Sequence, residues 1–92
     1  MNILAGQSIA IVVPCYNEEL TVAAIIRDFN ACLPQAKVYI FDNNSSDKTM
    51  EIARAAGATV RSVPLQGKGN VIRRMFADVE ADIYIMVDGD NT

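Results

Sequence analysis

Apolar residues along this chain fall into four short β-branched runs separated by three stretches of helical spacing. Ile9-Ala10-Ile11-Val12-Val13 is apolar throughout, as in a strand covered on both faces, and Pro14 ends it. From about Glu19 to Leu33, the residues Leu20, Ala23, Ala24, Ile26 (or Ile25), Phe29 and Leu33 recur at helical intervals until Pro34 stops them. Val38-Tyr39-Ile40-Phe41 reads as a second strand. Ser46 or Asp47 can cap a second helix carrying Met50, Ile52, Ala53 and Ala56, which Gly57 closes. Thr59 to Val63 reads as a third strand. A third helix runs from about Gly69 to Val79, with Val71, Ile72, Met75, Phe76 and Val79 on its apolar side, and Ile83 to Val87 forms a fourth strand.

The order β-α-β-α-β-α-β with short connections predicts an α/β fold, a mostly parallel sheet with helices on both faces. In such sheets ligands bind beyond the carboxyl ends of the strands, where the strand order reverses. Three polar clusters follow that rule: Cys15 to Glu18 after the first strand, Asp42 to Asp47 after the second, and Asp88 to Asp90 after the fourth.

Composition narrows the partners. The 92 residues suffice for one domain, and 51% are hydrophobic, enough for a core. A net charge of −3, with no basic cluster beyond Arg73-Arg74, argues against nucleic acid. Cys15 and Cys32 have neither metal-ligand nor disulfide-framework spacing and read as reduced thiols in a cytosolic setting. No stretch reaches the roughly 20 apolar residues of a membrane helix. The expected location is the cytoplasm, or the cytoplasmic face of a membrane with any membrane segment outside this chain.

The strongest chemical signal is Asp88-Gly89-Asp90. Two carboxylates one residue apart at a strand end can face one hard cation, Mg²⁺ or Mn²⁺, which takes its other ligands from water and phosphate oxygens. An acidic turn is the plain alternative. In Pro14-Cys15-Tyr16-Asn17-Glu18, Tyr16 offers a ring to stack on a base, and Asn17 and Glu18 offer hydrogen-bonding groups. Alone, that pentapeptide reads rather as a helix start, with Asn17 as cap and Glu18-Glu19 at the positive end of the dipole. Asp42 can accept from a base N–H or a ribose hydroxyl. Gly67-Lys68-Gly69-Asn70 lets the backbone approach an anion beside the Lys68 charge, without the spacing of a P-loop, and a simple turn explains it equally well.

Together these segments, in this order, resemble the inverting family 2 glycosyltransferases of the GT-A fold, with the dolichol-phosphate mannose synthase and polyprenyl-phosphate glycosyltransferase group the most similar branch. The resemblance covers Ile9 to Thr92. It rests on Pro-x-Tyr-Asn-Glu, the Asp-rich loop ending in Ser-x-Asp, Gly-Lys-Gly and Asp-x-Asp. It implies a Rossmann-like nucleotide-binding half in which Pro14, Tyr16, Asn17 and Glu18 meet the nucleoside of a UDP- or GDP-sugar. Asp42 with Asn43 would bind base or ribose, Lys68 would lie near the donor, and Asp88, Gly89 and Asp90 would hold Mg²⁺ or Mn²⁺ on the diphosphate. Relatives often carry two adjacent acids where this chain has Asp42-Asn43, which leaves the base open. A lipid phosphate is the acceptor the resemblance suggests.

Family members also have a second half that binds the acceptor. The expectation is therefore that residues 1–92 are the donor-binding part of a longer enzyme, inactive in isolation and prone to self-association through an exposed sheet edge. Two other classes compete. Asp88-x-Asp90-x-Thr92 after a hydrophobic strand fits the nucleophile motif of a haloacid-dehalogenase-like phosphatase, although that family carries it on its first strand. The other is a non-catalytic nucleotide- or metal-binding module.

Overall fold

The computed structural model describes residues 6–64 and 68–87. The elements alternate in chain order: β1 (Ile9–Cys15), α1 (Val22–Cys32), β2 (Lys37–Asp42), α2 (Thr49–Ala55), β3 (Thr59–Ser62), α3 (Lys68–Asp78) and β4 (Ile83–Met86). The strands form one sheet in the order β3-β2-β1-β4, and every adjacent pair is parallel. The chain steps outward from β1 to β3 and then returns to the opposite side of β1. The order therefore reverses between β1 and β4, which makes the carboxyl ends of these two strands the expected ligand crevice.

Alternation along β1 divides the core in two. Ile9, Ile11, Val13 and Cys15 face Val22 and Ile26 of α1 and Ala53 of α2, together with Val38 and Ile40 of β2. Ala10 and Val12 face Val71, Met75 and Val79 around α3, together with Phe41. Helices thus cover both faces, which is why β1 and the centre of β2 are apolar at consecutive positions rather than at every second one. Full burial of side chains such as Ile11 and Phe41 contributes about 1.5–3 kcal/mol each.

The structure departs from the sequence pattern in four places. Pro14 does not end β1, which continues to Cys15. The Val12 carbonyl points toward β4 and accepts from the Val87 amide at 3.0 Å. Pro14, two residues on, faces the same side, beyond Met86, the last residue of β4 in register with β1. Its missing N–H is thus required by no ladder bond. Second, α1 starts at Val22, not near Glu19, and Leu20 is 94% exposed and outside the apolar face. Third, neither Ser46 nor Asp47 is the cap residue of α2: Lys48 is, with no side-chain bond of its own. Fourth, Phe76 is half exposed and meets Tyr84 edge to face, with ring centroids 5.2 Å apart.

The Gly57 stop stands. Gly57 has φ +97°, its amide donates to the Arg54 carbonyl at 3.0 Å, and the Ala58 amide donates to the Ala53 carbonyl at 3.1 Å. This pair of bonds is the Schellman ending, and it requires the left-handed backbone that glycine adopts without strain. The two cysteines are not cross-linked: Cys15 is buried in β1, and Cys32 is exposed at the end of α1. Among the described residues, no helix is long and apolar enough to cross a membrane.

Candidate functional site at the carboxyl edge of the sheet

The loops after β1 and β2 lie side by side because their strands pair, with Cys15 opposite Asp42. A hydrogen-bond network joins them. The Asn43 amide donates to the Cys15 carbonyl at 2.9 Å. The Asn17 amide donates to Ser45 Oγ at 2.8 Å, and Asn17 Oδ1 accepts from the Ser46 amide at 2.9 Å and Ser46 Oγ at 3.4 Å. The Glu18 amide donates to Thr49 Oγ1 at 2.8 Å, and the Lys48 amide donates to Glu19 Oε2 at 3.2 Å.

The network also satisfies the amides just ahead of α1. The Glu18 and Glu19 amides, free to begin a helix in the sequence reading, bond instead to side chains of the second loop. Asn17 is not a helix cap. It has φ +52°, a left-handed conformation that asparagine tolerates better than most residues.

Asp47 and Thr49 anchor the far end. The Asp47 carboxylate accepts from the Thr49 amide at 2.9 Å, the Thr49 hydroxyl and the Glu19 amide at 3.3 Å. Asp47 therefore does the work of a cap from one position outside the helix. Partial burial pushes its carboxyl up, but the bonds from Thr49 and Glu19 outweigh this and hold it below the ordinary aspartate value. A carboxyl depressed in the folded state adds stability above its ordinary value, and that stability is lost as pH falls through the folded value. Protection of the Glu19 and Thr49 amides from hydrogen exchange is thus expected to fall on acidification through that range. The Asp47→Asn variant is expected to lose this pH dependence, and an unchanged profile would remove Asp47 from the anchor.

Asp42 is the polar residue at the centre of the site. It ends β2, is 1% exposed, and uses Oδ2 to accept from the Ser45 amide at 3.0 Å. Its other oxygen, Oδ1, is buried with no hydrogen-bond partner among the described residues. A buried acceptor in that state costs about 1–3 kcal/mol, which a ligand N–H can recover. Because Oδ1 is enclosed, a ligand reaching it must displace what covers it. Tyr16, one residue past the register partner of Asp42, is 59% exposed, as a stacking ring would be. Pro14, two residues earlier in β1, is half-buried.

Asn43 and Asn44 act in a way the sequence did not reveal. Asn43 Nδ2 donates to the Val63 carbonyl at 2.9 Å, and Asn44 Nδ2 donates to the Pro64 carbonyl at 2.9 Å. Both tie the exit of β3 to the end of β2. An acid at position 43 could not donate this bond, so Asn43→Asp is expected to lower unfolding stability by about 1 kcal/mol in a denaturant titration. Stability equal to wild type would show that the bond adds nothing.

Lys68 is the first residue of α3, which follows β3 from the same sheet edge. Asp88, Gly89 and Asp90 lie outside the described residues. The last described residue before them, Val87, is bonded to Val12 and continues β4 toward the carboxyl edge. Among the described residues, no three His, Cys, Asp or Glu side chains are grouped to hold a metal.

The description "Glycosyl transferase family 2" matches residues 10–92. The chain belongs to glycosyl transferase family 2. It is 61% identical over 85 residues to protein RfbJ of Shigella flexneri, covering 92% of this chain and 66% of that one. It is 37% identical over 86 residues to glycosyltransferase AglJ of Haloferax volcanii, covering 92% and 28%. A solved structure of glucosyl-3-phosphoglycerate synthase from Mycobacterium tuberculosis with Mn²⁺, uridine diphosphate and phosphoglyceric acid aligns with TM-score 0.83 and 32% identity, over 95% of this chain and 34% of that one. The family 2 resemblance and the GT-A fold expectation both stand, and the chain spans two thirds or less of the relatives it matches.

Proposed function

We propose that the protein carrying this segment transfers a sugar from a uridine-diphosphate sugar to an acceptor, with inversion, and that the segment binds the donor. The observation that carries this reading is the buried Oδ1 of Asp42, unpartnered among the described residues, with the exposed Tyr16 one residue past its register partner. The chemistry of the single open oxygen favours uracil. Its N3–H is one donor and suits one acceptor. Guanine presents two adjacent donors and would require both carboxylate oxygens, but Oδ2 already accepts from Ser45. Cytosine would turn its N3 lone pair toward the carboxylate. The uridine diphosphate in the mycobacterial relative supports the same choice.

Asp88 and Asp90 would hold Mg²⁺ or Mn²⁺. Two carboxylates with phosphate oxygens form the hard-oxygen donor set these ions take, and both ions occur with uridine diphosphate in solved structures of the mycobacterial synthase. When bound, the ion offsets negative charge on the diphosphate. Lys68, the first residue of α3, would supply a positive charge for the donor. Asp42 and Tyr16 hold the nucleoside, so the sugar is presented at a fixed distance from them. For the acceptor we put forward a polyprenyl phosphate. Phosphoglycerate, present in the mycobacterial complex, is the competing choice.

A phosphatase using Asp88 as nucleophile is set aside, because the glycosyl transferase family 2 match covers residues 10–92. Thermal denaturation of the full-length protein with UDP, GDP and CDP, with and without Mn²⁺, tests the donor. A ligand that binds only the folded form raises the melting temperature. UDP is expected to give the largest rise and Mn²⁺ to enlarge it. A larger rise with GDP would overturn the uridine assignment, and no rise with any nucleotide would overturn donor binding. Transfer from the preferred donor to polyprenyl phosphate, but not to phosphoglycerate, decides the acceptor.

A further inference from the structure

We infer that Ser45 and Asn17 are positioning residues that lock the two nucleoside-facing loops together, so that Tyr16 and the open oxygen of Asp42 address one base at a fixed separation. This rests on the donor reading above. The sequence had Asn17 either touching the nucleoside or capping a helix; Thr21 is the cap residue of α1, and Asn17 holds the second loop. Its side-chain oxygen already accepts two bonds from Ser46, and its amide is bonded to Ser45.

Ser45 is the link. Its amide fixes Asp42 Oδ2 at 3.0 Å, which orients the carboxylate and leaves Oδ1 as the acceptor without a partner among the described residues. Its hydroxyl, at 2.8 Å, takes the amide of Asn17, the residue directly after Tyr16. One serine therefore connects both groups assigned to the base. The left-handed Asn17 backbone makes the connection possible, since it turns the chain after Tyr16 so that its N–H meets the second loop. Without the lock, the turn that carries Tyr16 is held only by its strand pairing and by the bonds of Glu18 and Glu19 farther along, and the nucleotide must order the ring against the carboxylate on binding.

The test is nucleotide affinity in the full-length protein, measured by calorimetric titration with UDP and Mn²⁺. Ser45→Ala keeps the amide that orients Asp42 and removes only the hydroxyl that holds the first loop. It is expected to weaken UDP by about fivefold to tenfold, the size of one lost hydrogen bond. Ser45→Thr, which keeps the hydroxyl, should restore affinity to within about twofold on the same basis. Asn17→Gly keeps the left-handed backbone but loses the Ser46 contact, and should weaken UDP similarly.

The decisive arm is Ser45→Ala in a Tyr16→Ala background. If Ser45 acts by placing the ring, its removal should change affinity little once the ring is gone, because coupled residues are non-additive. Independent, multiplying effects would overturn the positioning role, as would wild-type affinity in both Ser45→Ala and Asn17→Gly. If Ser45→Ala fails to fold, Asn17→Gly with and without Tyr16 carries the same comparison. Wild-type protein that binds no nucleotide would overturn the donor reading and this inference together. Tight wild-type binding with additive variants would overturn this inference alone.

Discussion

Replacing Asp42 with asparagine is expected to weaken UDP binding by about a hundredfold while leaving the protein at least as stable as wild type. The reason is the Ser45 amide. It donates to Oδ2 at 3.0 Å and so demands an oxygen at that position. An asparagine there must place its carbonyl oxygen toward Ser45 and its NH₂ where Oδ1 now stands. The base N–H would then meet a donor. A site built to accept a hydrogen bond discriminates strongly when its partner cannot pair, and a hundredfold corresponds to about 2.7 kcal/mol. Stability is expected to move the other way, because the wild-type residue buries a carboxylate with one oxygen unpartnered among the described residues. Calorimetric titration and denaturant unfolding of the same variant check both halves. UDP affinity within threefold of wild type would remove Asp42 from the base site. A large fall in stability would show that Oδ1 has a structural partner.

The parts of this structure that the sequence revealed are those set by local pattern. Unbroken apolar runs marked β1 and β2 because helices cover both faces of the sheet, and Gly57 marked the end of α2 because the Schellman turn needs its backbone. The parts it hid are set by contacts between distant residues. Asn17 and Ser45 are 28 residues apart, and Glu18 and Thr49 are 31 apart. No capping rule, which reads three or four neighbours, anticipates that these amides are satisfied by another loop. Asp42 was singled out as a binding residue from its place after the second strand. What the sequence could not convey was that Ser45 holds one of its oxygens and leaves the other without a partner among the described residues, the feature on which the proposed choice of uracil rests.

Asp88→Asn and Asp90→Asn are each expected to reduce sugar transfer by at least about a thousandfold, a loss typical of removing charge stabilisation from a leaving group. Hard divalent ions in such sites take only one or two protein carboxylates, so either substitution removes a large share of both the ligands and the charge. The effect should be separable from nucleoside recognition. Asp42 and Tyr16 sit at the ends of β2 and β1, while Asp88 and Asp90 follow β4 on the other side of β1. Both variants should therefore keep the rise in melting temperature that UDP produces without metal, and lose the additional rise that Mn²⁺ produces in wild type. Asp42→Asn should behave in the opposite way, losing most of the metal-free rise. If the Mn²⁺ increment survives in both Asp88→Asn and Asp90→Asn, the metal is held elsewhere and the pair has another role. If the metal-free rise vanishes as well, the two carboxylates act on the nucleoside or on the fold, and the division of the site between its base end and its diphosphate end is wrong.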